Sequence, residues 1–265
     1  MRKPKIIAEI AQAHDGSLGQ AFAFIDAVAD ADADAVKFQC HMPDQESTPA
    51  EKFRAGCFFP QDRTRQGYWQ RTAFTFEQWV QLREHAADCG LEFGVSCFCS
   101  RAVRQMAPIC DFLKVPAGEY NNPHIIEALS ETSLPIYWSL GMSSLRNIPA
   151  HIYGRVTPLY CVTSYPARPE KLDLFRVNED VGLSDHSGTI WAGILAAWRQ
   201  APAIEVHVCW DRGQFGPDSP ASITIAELSE LVSAARWISC LGRTPATPED
   251  QHRAAARYRL GRLQA

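Results

Sequence analysis

Pairs of chemically active side chains recur two residues apart along this chain: Lys37 with Gln39, Ser184 with His186, and Glu205 with His207. On an extended strand such residues share a face, so each pair presents two polar groups together. Lys114 is followed closely by Glu119, and Glu9 precedes His14 and Asp15. Charge turned into a protein interior is costly unless it is paired or working. Two readings follow. One is an internal salt-bridge network. The other is a site in which Lys37 and Lys114 clamp an anionic substrate while Glu9, Glu119 and Glu205 handle protons.

His186 and His207 fall on consecutive strands. Neighbouring strands lie about 4.8 Å apart, so the two imidazoles can converge on one divalent metal; the alternative is a pair of satisfied polar residues. His14, His41, His85, His124, His151 and His252 have weaker claims; of these, His41 can point into the mouth, and His85 and His252 read as helix surface. Ser184-Asp185-His186 has the letters of a catalytic triad, but adjacent strand residues alternate faces and cannot form one among themselves. Cys97 and Cys99 form an isolated CxC, which reads as incidental thiols before a soft-metal site.

The elements that must position these groups alternate along the chain. Short, branched apolar runs at 5–12, 35–41, 92–98, 112–118, 135–141, 157–164, 181–187 and 203–210 read as buried parallel strands. Between them lie amphipathic helical patterns at 17–32, 76–89, 125–130, 188–199 and 225–240, with shorter or poorly marked ones at 100–107, 144–152 and 170–177. Thr224 followed by Glu227 predicts a capping box at the start of the last long helix. Eight such units predict a single-domain (β/α)8 TIM barrel over 1–265, with its site at the strand C-termini. A doubly wound sheet is the rival, and no GxGxxG follows the first strand. The connection 42–75 is long and rich in Gln, Arg and aromatic residues, as lids and binding loops are.

Composition narrows the partners. The net charge of −4 provides no basic field for nucleic acid or an anionic membrane. No apolar run reaches the roughly 18 residues of a membrane span, and Glu9 interrupts any signal-peptide core. The nine scattered cysteines argue against a disulfide scaffold. A cytoplasmic protein is expected.

Several of these segments, in order, resemble the sialic acid synthases. They are Ile7-Ala8-Glu9-Ile10 through His14-Asp15-Gly16-Ser17; Ala35-Val36-Lys37-Phe38-Gln39; Lys114-Val115 through Gly118-Glu119 with Asn121-Asn122-Pro123; Ser139-Leu140-Gly141-Met142; Cys161 through Tyr165-Pro166; Gly182 through Gly188; and Glu205-Val206-His207 with Asp218 and Ser222. The resemblance implies a TIM barrel that condenses phosphoenolpyruvate with an open-chain N-acetylated amino sugar, giving a nonulosonic acid and phosphate. It implies a divalent metal, Mn²⁺ or Mg²⁺, on His186 and His207, and phosphate and carboxylate contacts from Lys37 and Lys114. It further implies phosphoenolpyruvate contacts from Ser96, Ser164 and Ser184, and water activation by Glu119. Glu9, Gln39, Asn122, Tyr165 and Asp218 would then surround the sugar and the metal.

The chain departs from that pattern at Ala13, where the family has Asn, at Ala117, where it has Ser, and at Val206, where it has Lys. It also ends where the family continues into a small antifreeze-like domain that supplies an arginine to the sugar. The connection 42–75, with Arg54, Arg63, Arg65 and Tyr68, is the expected substitute. A homodimer stays open. Three readings therefore stand: a nonulosonic acid synthase, a phosphoenolpyruvate-dependent synthase with a different aldehyde acceptor, and a catalytically inactive barrel scaffold.

Overall fold

The computed structural model describes residues 2–52 and 62–241, together with 249 and 253. Eight strands form where the branched apolar runs lie: β1 (Lys5–Ala11), β2 (Ala35–Cys40), β3 (Glu92–Cys97), β4 (Phe112–Val115), β5 (Ile136–Ser139), β6 (Val156–Cys161), β7 (Gly182–Asp185) and β8 (Ala203–Cys209). Each pairs in parallel with the next, and β1 pairs with β8, so the barrel closes. The last β1 partner on β8 is His207. Beyond it Val208 and Cys209 pair with a two-residue strand, β9 (Ile223–Thr224).

The helices among the described residues are α1 (Leu18–Asp30), α2 (Pro43–Glu46), α3 (Arg65–Thr72), α4 (Phe76–Asp88), α5 (Ser100–Met106), α6 (Pro123–Ser130), α7 (Trp191–Trp198) and α8 (Ile225–Cys240). Their starts are set by side chains that accept otherwise orphaned backbone N–H groups. Ser17 accepts from Gln20, and Thr75 with Gln78 forms a capping box, as does the expected Thr224–Glu227 pair.

Two expected helices do not form. The stretches 144–152 and 170–177 hold only single 3-10 turns, Leu145–Asn147 in the first, and Pro169–Lys171 and Leu174–Arg176 around the second. Pro149 cannot donate the hydrogen bond that the interior of the first would need. In the second, Leu172 and Leu174 stand two apart, a spacing that does not put both on one helix face. The strands are also shorter than expected at their C-terminal ends. β4 stops at Val115 because Pro116 has no N–H to continue the ladder, and β6 stops at Cys161 rather than Ser164. The connection 42–75 is structured where described: it carries α2, α3 and an antiparallel bridge between Lys52 and Thr64. Arg54, and almost all of the C-terminal loop and helix expected after 245, lie outside the described residues. No helix among the described residues is long and apolar enough to cross a membrane.

The core has two parts. The larger lies between barrel and helices and includes Phe24, Ile25, Phe38, Trp79, Phe93 and Trp138; Cys97 belongs to it and Cys99 packs against it. The smaller fills the barrel floor with Ile7, Ala35, Phe112, Tyr137, Leu159 and Ala203. Gly94 and Gly182 complete this layer. A Cβ on Gly94 would sit 2.2 Å from the Phe112 ring, and one on Gly182 would sit 2.5 Å from the Ala203 carbonyl oxygen. Moving two residues along each strand from this floor gives Glu9, Lys37, Ser96, Lys114, Ser139, Cys161, Ser184 and Glu205. The period-two rule thus turns one apolar layer into one polar layer all the way round the barrel.

Candidate active site

That polar layer is a connected belt. Lys37 is fully buried; it forms an ion pair with Glu9, lies 3.6 Å from Glu205 and donates to Ser96 Oγ at 2.8 Å. Lys114 donates to Glu205 Oε1 at 2.5 Å and to Ser184 Oγ at 3.1 Å, and Ser184 donates to the same carboxylate oxygen at 3.2 Å. The second oxygen of Glu9 accepts the Ala11 N–H at 2.9 Å. Here β1 shifts register, and Ala11 takes a positive φ of 53°. Burial would raise the Glu205 carboxyl, but the Lys114 and Lys37 charges outweigh it and hold it at about 2. Burial pulls the Lys37 ammonium down to about 7, against the attraction of Glu205.

Above the belt opens a cavity of about 560 Å³ at the C-terminal ends of the strands, a volume suited to a small ligand. His186 and His207 stand on one side with ring centroids 5.5 Å apart. The Nδ1 of His186 donates to the Val162 carbonyl at 2.7 Å, which fixes the tautomer and leaves Nε2 as the acceptor, 3.0 Å from the Tyr165 hydroxyl. Burial holds both imidazoles neutral, His186 at about 4 and His207 well below its ordinary value. Neutral imidazole is the form that ligates metal. The Asp218 carboxylate lies 3.9 Å from His207 Nδ1. That nitrogen and Glu205 Oε2 are buried without a hydrogen-bond partner. Such orphaned atoms are costly, and beside two neutral imidazoles and a carboxylate they fit a divalent cation.

Another wall comes from β2 and the connection after it. The His41 ring lies between Trp69 and Phe98, with centroids at 4.0 and 4.2 Å. Its nitrogens meet Glu46 at 2.7 Å and Gln39 at 3.2 Å. Arg65 covers Trp69 from 4.7 Å and bonds Glu51 at 2.9 Å, while its Nε is buried with no hydrogen-bond partner. Tyr68 also lines this wall. Beyond β4, Asn122 caps α6 through its Oδ1, and its Nδ2 donates to Glu119 at 2.8 Å.

The structure thus brings Glu9, Gln39, Ser96, Lys114, Glu119, Asn122, Tyr165, His186, His207 and Asp218 to one cavity. It places three expected residues differently. Lys37 and Ser184 lie beneath the lining, so they hold the belt and do not face the cavity. Ser164 is exposed, lies outside the lining and donates to the Pro166 carbonyl at 3.0 Å. Ser164 is out of phase with the inward-facing Leu159 and Cys161, and Thr163, two residues beyond Cys161, lines the cavity instead. Sequence reasoning missed Gln12, Trp69, Phe98, Ser139, Cys161 and Thr163 as lining residues. For Ser139 and Cys161 the signal was available, because each stands two residues beyond a floor residue.

A closed parallel (β/α)8 barrel with a charged cavity at its strand C-termini defines the class, a barrel enzyme. The chain belongs to the NeuB family, whose sequence pattern matches residues 24–243. It is similar to the N-acetylneuraminate-9-phosphate synthase of Homo sapiens, with 28% identity over 88% of this chain and 69% of that protein. It is also 28% identical to the N,N'-diacetyllegionaminic acid synthase of Campylobacter jejuni, over 90% of this chain and 77% of the relative. The solved structure of an N-acetylneuraminic acid synthetase from Leptospira borgpetersenii, in complex with citrate, superposes with a TM-score of 0.80. It is 24% identical and covers 98% of this chain and 93% of that one, a likeness that shows the fold.

Proposed function

We propose that this protein condenses phosphoenolpyruvate with an open-chain, N-acetylmannosamine-like amino sugar, forming a nonulosonic acid and releasing phosphate. The observation that carries this reading is the charged belt under a neutral histidine pair. Among the described residues, five carboxylates line the cavity (Glu9, Glu46, Glu119, Glu205 and Asp218) against two lysine or arginine side chains, Arg65 and Lys114. Such a lining repels a phosphorylated carboxylate unless further positive charge joins it. His186 and His207 are the residues that would hold a divalent metal, Mn²⁺ or Mg²⁺, with Asp218 beside them. When bound, it adds positive charge and Lewis acidity toward the acceptor carbonyl.

In this reading Lys114, ion-paired with Glu205, meets the anionic end of phosphoenolpyruvate. Lys37 acts from below by fixing Glu9 and Ser96. The methylene carbon of phosphoenolpyruvate attacks the aldehyde carbon, a C–C bond forms, and the aldehyde oxygen takes up a proton. Water adds to the central carbon while Glu119, held by Asn122, accepts its proton. The bond from that carbon to the phosphate oxygen then breaks, leaving a keto acid. Arg65, Tyr68 and Trp69 face the acceptor, with the unpartnered Arg65 Nε as a donor for one of its oxygens. Gathering of these groups at one cavity speaks against an inactive scaffold, which has no physical need for buried lysines beneath paired imidazoles.

The test is phosphate release from phosphoenolpyruvate and Mn²⁺ with a panel of aldoses. Release that depends on an acetamido sugar and disappears in the His186→Ala, His207→Ala double variant is the expected result. Release only with shorter or unmodified aldehydes would move the acceptor class, and release with none of them would sink the reading.

A further inference from the structure

A second group of ligating side chains lies on the outer ring, away from the cavity, where α1 packs against α4. Asp26 of α1 faces His85 in the last turn of α4 and Cys89 at its C-cap. Asp26 Oδ1 lies 2.6 Å from His85 Nε2 and 3.7 Å from Cys89 Sγ, and the sulfur lies 3.9 Å from the same nitrogen. All three ligand atoms fall within 4.8 Å of one another. They are one oxygen, one nitrogen and one sulfur, which makes the group more than an acidic cluster or a lone thiol. We propose that Asp26, His85 and Cys89 form a surface site for a borderline-soft divalent transition ion such as Zn²⁺, separate from the catalytic cation and independent of the proposed reaction.

The geometry carries this. Tetrahedral zinc with bonds of about 2.0 Å to O and N and about 2.3 Å to S separates its ligand atoms by roughly 3.3–3.7 Å. The two distances to sulfur already lie close to that range. The O–N distance is the short one because a proton now bridges the pair, and an ion replacing that proton pushes the two atoms apart. The His85 and Cys89 spacing of one helical turn puts both on one face. The Cys89 N–H donates to the His85 carbonyl at 3.0 Å, so the turn holding them is formed. The Phe22 ring meets the His85 ring edge-on at 5.0 Å and fixes its orientation. Asp30 and Asp88 join Asp26 in the field that acts on the thiol, and that same negative field attracts a cation. Ligands drawn from two helices make the ion a clamp between the first and second strand-helix units, which carry Glu9 and Lys37. Soft thiolate selects Zn²⁺ or Co²⁺ over the hard Mg²⁺ and Mn²⁺.

The intact protein, kept reduced with a phosphine, is titrated with Co²⁺, and its near-ultraviolet absorption is followed for sulfur-to-cobalt charge transfer. The expected result is a charge-transfer band that Zn²⁺ displaces, that Cys89→Ser abolishes, and that Asp26→Ala weakens about tenfold or more in cobalt affinity. The His186→Ala, His207→Ala variant should keep the band, and Cys89→Ser should keep the turnover of the unaltered enzyme. Absence of any band, or a band that survives in Cys89→Ser, would overturn the proposal, because another thiol such as Cys161 would then be the ligand.

Discussion

At the scale of single residues, two carboxylates about the same cavity should fail in different ways. Glu119 is half-exposed, and its carboxylate accepts from Asn122 Nδ2. Glu205 is buried and shared by two lysines. Glu119→Gln should therefore lower kcat by about 10²–10⁴, as loss of a general base does, while the unfolding midpoint stays unchanged. Glu205→Gln leaves two buried ammonium groups short of charge, and removing one partner from a buried ion network costs about 3–5 kcal/mol. Denaturant unfolding and steady-state kinetics on both variants separate the two. Equal stability of Glu205→Gln and the parent would show that the belt does not hold the barrel. The sequence displayed the residues of this belt but not their depth. Lys37 and Lys114 read as equivalent clamps, yet the floor beneath Lys37 and the carboxylates over it leave only Lys114 in the cavity wall.

Elements decide which side chains reach the cavity. The Phe112 ring lies over Gly94, with ring atoms 2.2–2.6 Å from where a Cβ would stand. Because Phe112 is fully buried in the barrel floor, the ring has nowhere to retreat. Gly94→Ala should cost about 1–3 kcal/mol as overpacking, read as a lower denaturant midpoint at constant slope. An unaltered midpoint would mean that the floor yields. On the wall after β2, α3 presents Arg65. Arg65→Ala should raise KM for the acceptor about tenfold or more while KM for phosphoenolpyruvate holds, since in the proposed reading Lys114 and not Arg65 meets phosphoenolpyruvate. A matching rise in both would place Arg65 with phosphoenolpyruvate instead. All eight strands and the two-residue spacing within them were legible because both faces of a parallel strand are buried, so the apolar runs are unbroken. The α3 wall was legible only as a long connection holding Arg65 and Tyr68. The contact of His41 with Trp69 and Phe98 joins a strand end, a loop helix and another strand end, and no local pattern announces it. Ser164 was misplaced because it was carried over from the family resemblance alone; the two-residue spacing from Leu159 through Cys161 leads to Thr163, the residue that lines the cavity.

For the whole molecule, the buried histidines link stability to pH. His14 is buried, its ring stacked on Phe74 at 4.5 Å and its Nδ1 accepting the Gly16 N–H, and burial lowers it to about 3. His186 is lowered to about 4, and His207 shifts in the same direction. In the unfolded chain each titrates near 6.5. Below that pH the unfolded state takes up protons that the folded state refuses, so stability present above about 6.5 is lost as pH falls. Each such histidine contributes a slope of about 1.4 kcal/mol per pH unit. Glu205 does not interfere, because its unfolded carboxyl titrates below this window, and Lys37, lowered to about 7, titrates at its upper edge and above. The interval from about pH 6.5 to 5 therefore reports the histidines, and one of them alone should account for about 2 kcal/mol across it. His14→Gln removes one titrating group that is not among the proposed metal ligands. The variant can be less stable than the parent at neutral pH, yet its stability should fall by about 2 kcal/mol less between pH 6.5 and 5. Guanidinium unfolding at the two pH values measures this difference. Parallel lines for parent and variant would show that His14 takes up its proton without unfolding the barrel.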